Sequence, residues 1–338
     1  SRASSAGSTG GGAWWVRARS IAAMAAAAVL AVAVAGCGGD APDAVRVGLM
    51  PAITHGPALI ALEDEFAPGL AGRPVDAQVF ASGPEEVSAL LSGSLDAAYI
   101  GPGPYVLAEG RAPGRLRLLA GVVTGGQAFV TRPGTGIRDA GDLAGRRVAV
   151  PAHGNTQDLT LRLLLDRAGL RASDQGGDVE VVPVKNAALV EAFRQGVVDA
   201  ALAPAPFGEL LAARGLAVPV PAMDRTMAAW EIPATVLVAT EEFARANPAA
   251  TRALVRASAR AVARADAAPR AVALRFNDLL DESTGTRLDR GVLLEALDGT
   301  HASTAVAPGA MERMVRAADS AGYAGGPVAP AALVPRAG

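Results

Sequence analysis

The sequence predicts an α/β protein of two similar lobes, each on a mixed or parallel sheet, joined by hinge strands and braced by C-terminal helices. Three observations carry this. Short apolar runs alternate with capped amphipathic stretches, the rhythm of strands covered by helices. The rhythm is stated twice along the chain, in two related copies. And 338 residues are enough for two separate cores.

The repeat is visible residue by residue. Arg46-Val47-Gly48-Leu49-Met50-Pro51-Ala52 matches Arg147-Val148-Ala149-Val150-Pro151-Ala152 with one residue inserted. Both runs reach a His-Gly pair, His55-Gly56 and His153-Gly154, and continue into a Leu-rich helix. Downstream, Val79, Val87, Ala89, Leu90, Gly93, Asp96, Ala97 and Ala98 fall opposite Val182, Val190, Ala192, Phe193, Gly196, Asp199, Ala200 and Ala201. Each copy then meets a Pro-x-Pro, Pro102-Gly103-Pro104 and Pro204-Ala205-Pro206. Two copies of one β-α-β-α-β unit imply two lobes, with the natural site in the cleft between them.

In the first copy, Val45 to Met50 is a buried strand and Pro57 to Phe66 a helix turning Leu59, Leu62 and Phe66 inward. Val75 to Phe80 alternates like a half-buried strand. Ser82-Gly83-Pro84-Glu85-Glu86 starts a helix: a capping Ser, Pro in the first turn and two early carboxylates. Leu95 to Ile100 is a strand, and Gly101 to Tyr105 is expected to be a tight loop. Leu116 to Val123 and Ala128 to Thr131 are strands flanking Thr124-Gly125-Gly126-Gln127.

The second copy, residues 132–221, repeats the plan after an approach through Gly134 to Gly145. Its strand Val148-Ala149-Val150 stops at Pro151. A polar loop follows, then a helix with Leu161, Leu164, Leu165 and Ala168 on one face. Asn155 or Thr156 occupies the N-cap. Three neutral hydrogen-bonding side chains, Asn155, Thr156 and Gln157, cluster at this helix start, where free N–H groups and the positive helix end favour an anion. Thr235 to Ala239 is a strand returning to lobe one, so lobe one is expected over residues 45–131 plus 222–335. Four helices finish the chain: one from Asn247-Pro248 through Asp266, one from Pro269, then Asp289 to Leu297 and Pro308 to Gly322.

Residues 1–36 have the form of a signal peptide. Arg17 and Arg19 precede an uncharged apolar run, Ile21 to Ala35, too short for a comfortable membrane span. Val34-Ala35-Gly36-Cys37 resembles a bacterial lipobox, which implies cleavage before Cys37, a lipid on its thiol and a linker over residues 37–44. The other reading is an unlipidated Cys beside an ordinary cleavage site or a membrane anchor. Cys37 is the only cysteine, so there is no disulfide.

Composition excludes more than it selects. A net charge of −2 gives no footprint for nucleic acid. Lys185 is the only lysine among the cations, a bias that fits codon usage better than function. No nucleophile elbow, phosphate loop or paired-carboxylate motif marks an enzyme, and no cofactor is expected.

At Thr54-His55-Gly56-Pro57-Ala58-Leu59, Gly93-Ser94-Leu95-Asp96-Ala97-Ala98-Tyr99-Ile100-Gly101, Gly154-Asn155-Thr156-Gln157-Asp158 and Gly196-Val197-Val198-Asp199-Ala200 the chain resembles substrate-binding proteins of ABC importers. The branch is the one for sulfonates, nitrate, taurine and thiamine-precursor pyrimidines, with aliphatic-sulfonate binders most similar. The resemblance implies the type II periplasmic-binding-protein fold, hinge closure on a small anion, a permease partner in the membrane and a monomer held extracytoplasmically at the cell membrane. It makes Ser82 and Gly83 anion contacts as well as a cap, and puts Thr54 and His55 in the equivalent loop. Gly101, Pro102 and Tyr105 would line the cleft floor. Trp230 would wall the ligand's alkyl part, or pack between the lobes. Pro204 belongs to the site, but Pro204-Ala205-Pro206-Phe207 stands where relatives often carry Pro-Glu-Pro, so the resemblance carries over no ligand contact through that Glu. Lys185, Arg225 and Glu231 are candidate charged partners. A neutral polar site suits a sulfonate, whose charge is spread over three oxygens and needs N–H and O–H donors more than a formal cation. The alternatives are a nitrate, taurine or pyrimidine binder, an enzyme on this fold, a sensory lipoprotein, or a metal lipoprotein using His55 and His153.

Overall fold

The computed structural model describes residues 44–284 and 287–336. Pro42–Gly338 form one compact unit that holds every element named below. The leader and Cys37 lie outside the described residues.

The first copy folds as β1 (Val45–Leu49), α1 (Gly56–Ile60, prolonged by a wider turn over Ala61–Glu65), β2 (Val75–Val79), α2 (Gly83–Leu91), β3 (Ala97–Ile100) and α3 (Pro102–Arg111). Two strands follow, β4 (Leu116–Gly125) and β5 (Gln127–Thr131). The second copy folds as β6 (Arg147–Val150), α4 (Thr156–Arg167), β7 (Glu180–Pro183), α5 (Leu189–Gln195), β8 (Ala200–Pro204), α6 (Phe207–Ala213), β9 (Val218–Pro219) and α7 (Pro221–Ala228). The remainder is β10 (Pro233–Thr240), α8 (Glu241–Ala246), α9 (Pro248–Ala267), α10 (Pro269–Thr284), α11 (Arg290–Asp298), β11 (Thr300–Ala302) and α12 (Ala310–Ser320).

Sheet one runs β11-β4-β10-β3-β1-β2 and sheet two β7-β6-β8-β5-β9. In both, three parallel strands from one copy meet an antiparallel strand, β10 in sheet one and β5 in sheet two, that arrives from the other lobe. The repeat in the sequence is therefore a repeat in register: Val47 and Gly48 pair Ala97 and Ala98, and Val148 and Ala149 pair Ala200 and Ala201. It extends to the ion pairs. Asp96 accepts from the Arg46 backbone N–H at 2.8 Å and its Nη2 at 2.7 Å; Asp199 accepts from the same Arg147 groups at 2.9 and 3.0 Å. Each carboxylate closes the start of its sheet and leaves the opposite ends of the parallel strands, with their loops, facing the other lobe.

Two boundaries differ from expectation. The chain crosses at Gly125-Gly126, both with positive φ (79° and 70°), so β5 already belongs to sheet two, ahead of the expected change after Thr131. Here glycine is needed twice over, because a Cβ on Gly125 would lie 2.2 Å from the Gly299 carbonyl oxygen. At the other boundary, Met223 and Met227 of α7 fill the core of lobe two under Phe129 and Val150. The expected tight loop at Gly101 to Tyr105 is instead the first turn of α3. Gly101 is the N-cap and Pro102 sits in the first turn, where its fixed φ suits a helix and its missing N–H is not needed. Pro-Gly-Pro mimics a turn in sequence, and packing decides otherwise. The short edge strand β11 carries no sequence signal of its own.

The C-terminal helices pack on lobe one. Leu254, Ala261 and Phe276 join the core under β1 and β4, while Met311 and Met314 of α12 join the core under β3 and β10.

Candidate functional site

Three helix starts from the two lobes meet at one place. Gly83 at the start of α2 lies against Pro104 of α3, where an added Cβ would be 2.6 Å from Pro104 Cγ. Gly101 and Gly103 lie against the start of α4: a Cβ on Gly101 would be 2.3 Å from Thr156 Oγ1, and one on Gly103 only 2.7 Å from the Thr156 nitrogen. The Gly103 N–H donates to Thr156 Oγ1 at 3.3 Å. Glycine is required at Gly103 because two backbones approach there across the cleft, whereas Gly101 and Gly83 make room for the Thr156 and Pro104 side chains.

The capping chemistry at each start is distinct. Asn155 is the N-cap of α4, with its Oδ1 accepting from the Asp158 N–H at 2.9 Å. Ser82 occupies the N-cap of α2 in an extended conformation, yet its hydroxyl makes no capping bond. Glu85 reaches back past the cap and accepts from the Ala81 N–H at 3.3 Å. The half-buried Ser82 hydroxyl is thus left over from local structure. Thr156 and Gln157 are buried in the first turn of α4. Glu86, one turn into α2, is fully buried beside Gly48, and burial pushes its carboxyl well above the usual range.

The other sequence candidates divide. Thr54 is buried at the hinge, its carbonyl accepting from the Thr235 hydroxyl at 2.8 Å and its methyl against Gly126. Pro204 ends β8 opposite Gln127, and the buried Gln127 Oε1 has no hydrogen-bond partner. Gln127 was not among the sequence candidates; only the Gly-Gly-Gln crossing hints at it. Trp230 is half-buried and packs against the cores of both lobes, so the interlobe packing reading describes it. Ala205 is buried in the core of lobe one.

Two candidates are corrected. Tyr105 is fully buried and donates its hydroxyl to the Ala332 carbonyl at 2.7 Å, away from the cleft. Because the loop expected there is a helix, its first turn carries Tyr105 into the core under β3 and β10. His55 is also interior: Nε2 lies 3.0 Å from the Tyr99 carbonyl and Nδ1 3.3 Å from Thr54 Oγ1. Nε2–H donates to the carbonyl and Nδ1 accepts from the hydroxyl, so neither nitrogen is available to a ligand or metal. Among the described residues no three His, Cys, Asp or Glu gather as a metal site. His153 is half-exposed, 3.8 Å from Asp158.

Burial lowers the His55 pKa from 6.5 to about 4. The unfolded chain takes up a proton on that imidazole below pH 6.5 while the folded chain stays neutral, so this residue's contribution to stability falls as pH drops from 6.5 to 4. The loss is roughly 3 kcal/mol over that window. Asp224, raised by burial to about 6 while accepting from the Phe129 N–H, works in the opposite sense, favouring the fold as pH falls through 6. The wild-type minus His55→Asn difference isolates the histidine. Unfolding midpoints of both proteins should converge as pH falls from 6.5 to 4, and a pH-independent difference would refute a buried neutral ring.

The lobes are packed together around the site. Leu161, Leu164 and Leu165 of α4 lie in the core of lobe two, while Leu159 of the same helix lies in a core of lobe one. Arg162, 2% exposed, anchors this side. Its Nε donates to Asp158 at 2.9 Å, its Nη groups to Asp174 at 3.0 and 2.8 Å, and Nη2 to the Tyr323 hydroxyl at 2.5 Å, beyond the end of α12. The i,i+4 pair Asp158–Arg162 is visible in sequence; Tyr323, distant in the chain, is not. A groove of about 650 Å³ opens elsewhere, between α1, α9, α10 and α11 of lobe one, with Pro269 and Arg270 at the start of α10 in its lining.

Residues 38–275 match the model of the NMT1-like family. A binding protein of Brucella abortus (strain 2308) is 36% identical over 130 residues, 38% of this chain and 38% of that protein. The taurine-binding periplasmic protein of Escherichia coli (strain K12) is 28% identical over 218 residues, 64% of this chain and 65% of the relative. The match therefore spans under two thirds of either relative's length. Among solved structures, the periplasmic aliphatic sulphonate binding protein SsuA of Escherichia coli superposes with a TM-score of 0.62 at 22% identity, over 83% of this chain and 86% of that one. The desulfurization enzyme DSZB superposes with a TM-score of 0.59 at 21% identity, over 85% of this chain and 94% of that one. At these identities the likeness to both structures is one of fold.

Proposed function

The chain belongs to the NMT1-like family, and on that premise we propose that it is the solute-binding component of an ABC importer. It captures a small anion of the sulfonate class between its lobes. Cys37 carries the lipid that holds it on the extracytoplasmic face of the membrane, and the closed form docks on a permease. The convergence of the α2, α3 and α4 starts is the observation that carries this reading. Their positive ends meet at one place, where the α3 start, with prolines at 102 and 104, contributes the single Gly103 N–H. The bond from Gly103 N–H to Thr156 Oγ1 puts a hydroxyl oxygen where a ligand oxygen would accept. Entry of the anion then requires the lobes to part, which two crossing strands and the Gly125-Gly126 turn allow. Neutral N–H and O–H donors with no arginine among them suit a weakly basic anion. Nitrate, taurine and a pyrimidine precursor remain the runner-up ligands. No residue set for turnover accompanies the site, so the proposed role is capture, not catalysis.

Ser82→Ala should weaken binding of the preferred ligand roughly tenfold, the value of one or two hydrogen bonds to a charged group, with the unfolding midpoint of the free protein unchanged. The check is a thermal-shift and calorimetric panel of alkanesulfonates, taurine, nitrate, bicarbonate, sulfate and a pyrimidine precursor on both proteins. Equal affinities would put the site elsewhere; a midpoint rise only with nitrate or a heterocycle would change the ligand and keep the importer. Turnover of any panel member would restore the enzyme reading.

A further inference from the structure

Along α9, Arg252, Arg256, Arg260 and Arg264 recur at every fourth residue on the side opposite its buried stripe of Leu254, Ala261 and Ala265. The row is not uniform. Arg260 pairs with Glu65, and Arg264 with Asp64 and Glu65. Arg252 and Arg256 are exposed and have no ion partner among the described residues. They flank a shallow groove of about 350 Å³ whose other wall is Pro68-Gly69-Leu70-Ala71. That wall leads directly to the start of the fold. Arg73 bonds Leu70 in a short bridge and Asn247 at the head of α9, and the next residue, Pro74, accepts from the Val45 N–H at 2.7 Å. The unpaired arginines therefore lie at the edge of lobe one where β1 begins, at the opposite end of the strands from the cleft.

Seven residues, Gly38 to Ala44, separate Cys37 from β1. Extended, they reach at most about 25 Å. We infer that the Arg252–Arg256 face of α9 is the surface that this protein lays against an anionic phospholipid membrane, holding the cleft outward. This rests on the proposed anchoring at Cys37, because a tether so short keeps the edge at Val45 close to the bilayer. Charge complementarity is local. Residues 1–36 carry Arg2, Arg17 and Arg19 and no acid, so the chain from Cys37 has a net charge of −2 − 3 = −5 and is repelled overall by an anionic surface. Attraction must come from this patch. Guanidinium groups bind lipid phosphates in bidentate fashion, and the interaction falls off within a Debye length, so only residues held at the surface contribute.

The test uses the chain from Gly38, which retains the whole compact unit Pro42–Gly338 and has no thiol to acylate. It is co-sedimented with vesicles of phosphatidylglycerol and phosphatidylcholine, and with vesicles of phosphatidylcholine alone. Binding is expected only to the anionic vesicles, to weaken with salt, and to fall roughly tenfold in the double variant Arg252→Gln, Arg256→Gln. No binding to anionic vesicles, or equal binding by the double variant, overturns the assignment, and an acidic protein partner becomes the better occupant of the groove. Ligand-induced thermal shifts of the variant, expected to equal those of the parent, show that the fold is intact. Mass spectrometry of the full-length protein for a lipid on Cys37 tests the anchor separately. Lipid on Cys37 without arginine-dependent binding removes the α9 face and keeps the anchor. Arginine-dependent binding without lipid keeps the face and removes the anchor.

Discussion

Gly103→Ala is expected to lower ligand affinity by between ten- and a hundredfold while leaving each lobe folded. A methyl at this position would lie 2.7 Å from the Thr156 nitrogen, 2.8 Å from the Asn155 carbonyl carbon and 2.9 Å from Thr156 Cα. All three are backbone atoms of the facing helix start, so no side chain can swing away and the lobes must separate. Overpacking of this kind typically costs about 1–3 kcal/mol, and here the cost falls on the closed form alone. Within α3 itself the change is favourable by roughly 1 kcal/mol, because alanine is the better helix former. The two effects separate cleanly: the thermal midpoint of the free protein should hold or rise while affinity falls. Calorimetry on the preferred ligand, with small-angle scattering with and without it, measures both. Undiminished affinity would mean that closure does not bring Gly103 against Thr156.

Arg162→Ala should be the most damaging single change to stability, at about 3–5 kcal/mol. Asp158 is fully buried and takes hydrogen bonds from the Gly154 N–H at 2.7 Å and from Arg162 Nε at 2.9 Å. Truncation leaves that carboxyl in the interior without its cation, and also strands Asp174 and the Tyr323 hydroxyl. For a chain of this size the unfolding midpoint should drop by on the order of 10 °C. The double variant Arg162→Met, Asp158→Leu removes both charges and should recover much of the loss, since a buried pair is often no better than apolar residues of similar volume. A drop of less than about 1 kcal/mol in Arg162→Ala would show the pair to be as weak as a surface bridge.

The repeat was the most legible feature of the sequence, for a physical reason. Each copy must bury its strands in the same order, so Val47 and Val148, or Ala97 and Ala200, meet the same packing demand and keep the same residue types. The paired Arg46–Asp96 and Arg147–Asp199 bridges were present in the alignment of the copies, although only the sheets show why they recur. The helix starts at Ser82, Asn155 and Thr156 were legible too, because capping is local chemistry.

His55 and Tyr105 show where that legibility ends. Both occupy loop-like stretches near the expected cleft, and whether such a side chain faces a ligand or the core depends on what packs over it. Tyr99 and Thr54 enclose the imidazole, and residue 332, far along the chain, receives the Tyr105 hydroxyl. Likewise Pro102-Gly103-Pro104 carries turn residues yet begins a helix, since α4 seats against it.

Periodicity, duplication and the local chemistry of helix ends can be read without the fold. These depend on neighbours within a few residues, or on two copies of one pattern. Tertiary structure alone decided the crossing at Gly125-Gly126, the sharing of α4 between two cores, and the reach of Arg162 to Tyr323. Each of these joins residues with no sequence relation, and is set by which apolar surfaces can be buried together at the least steric and desolvation cost.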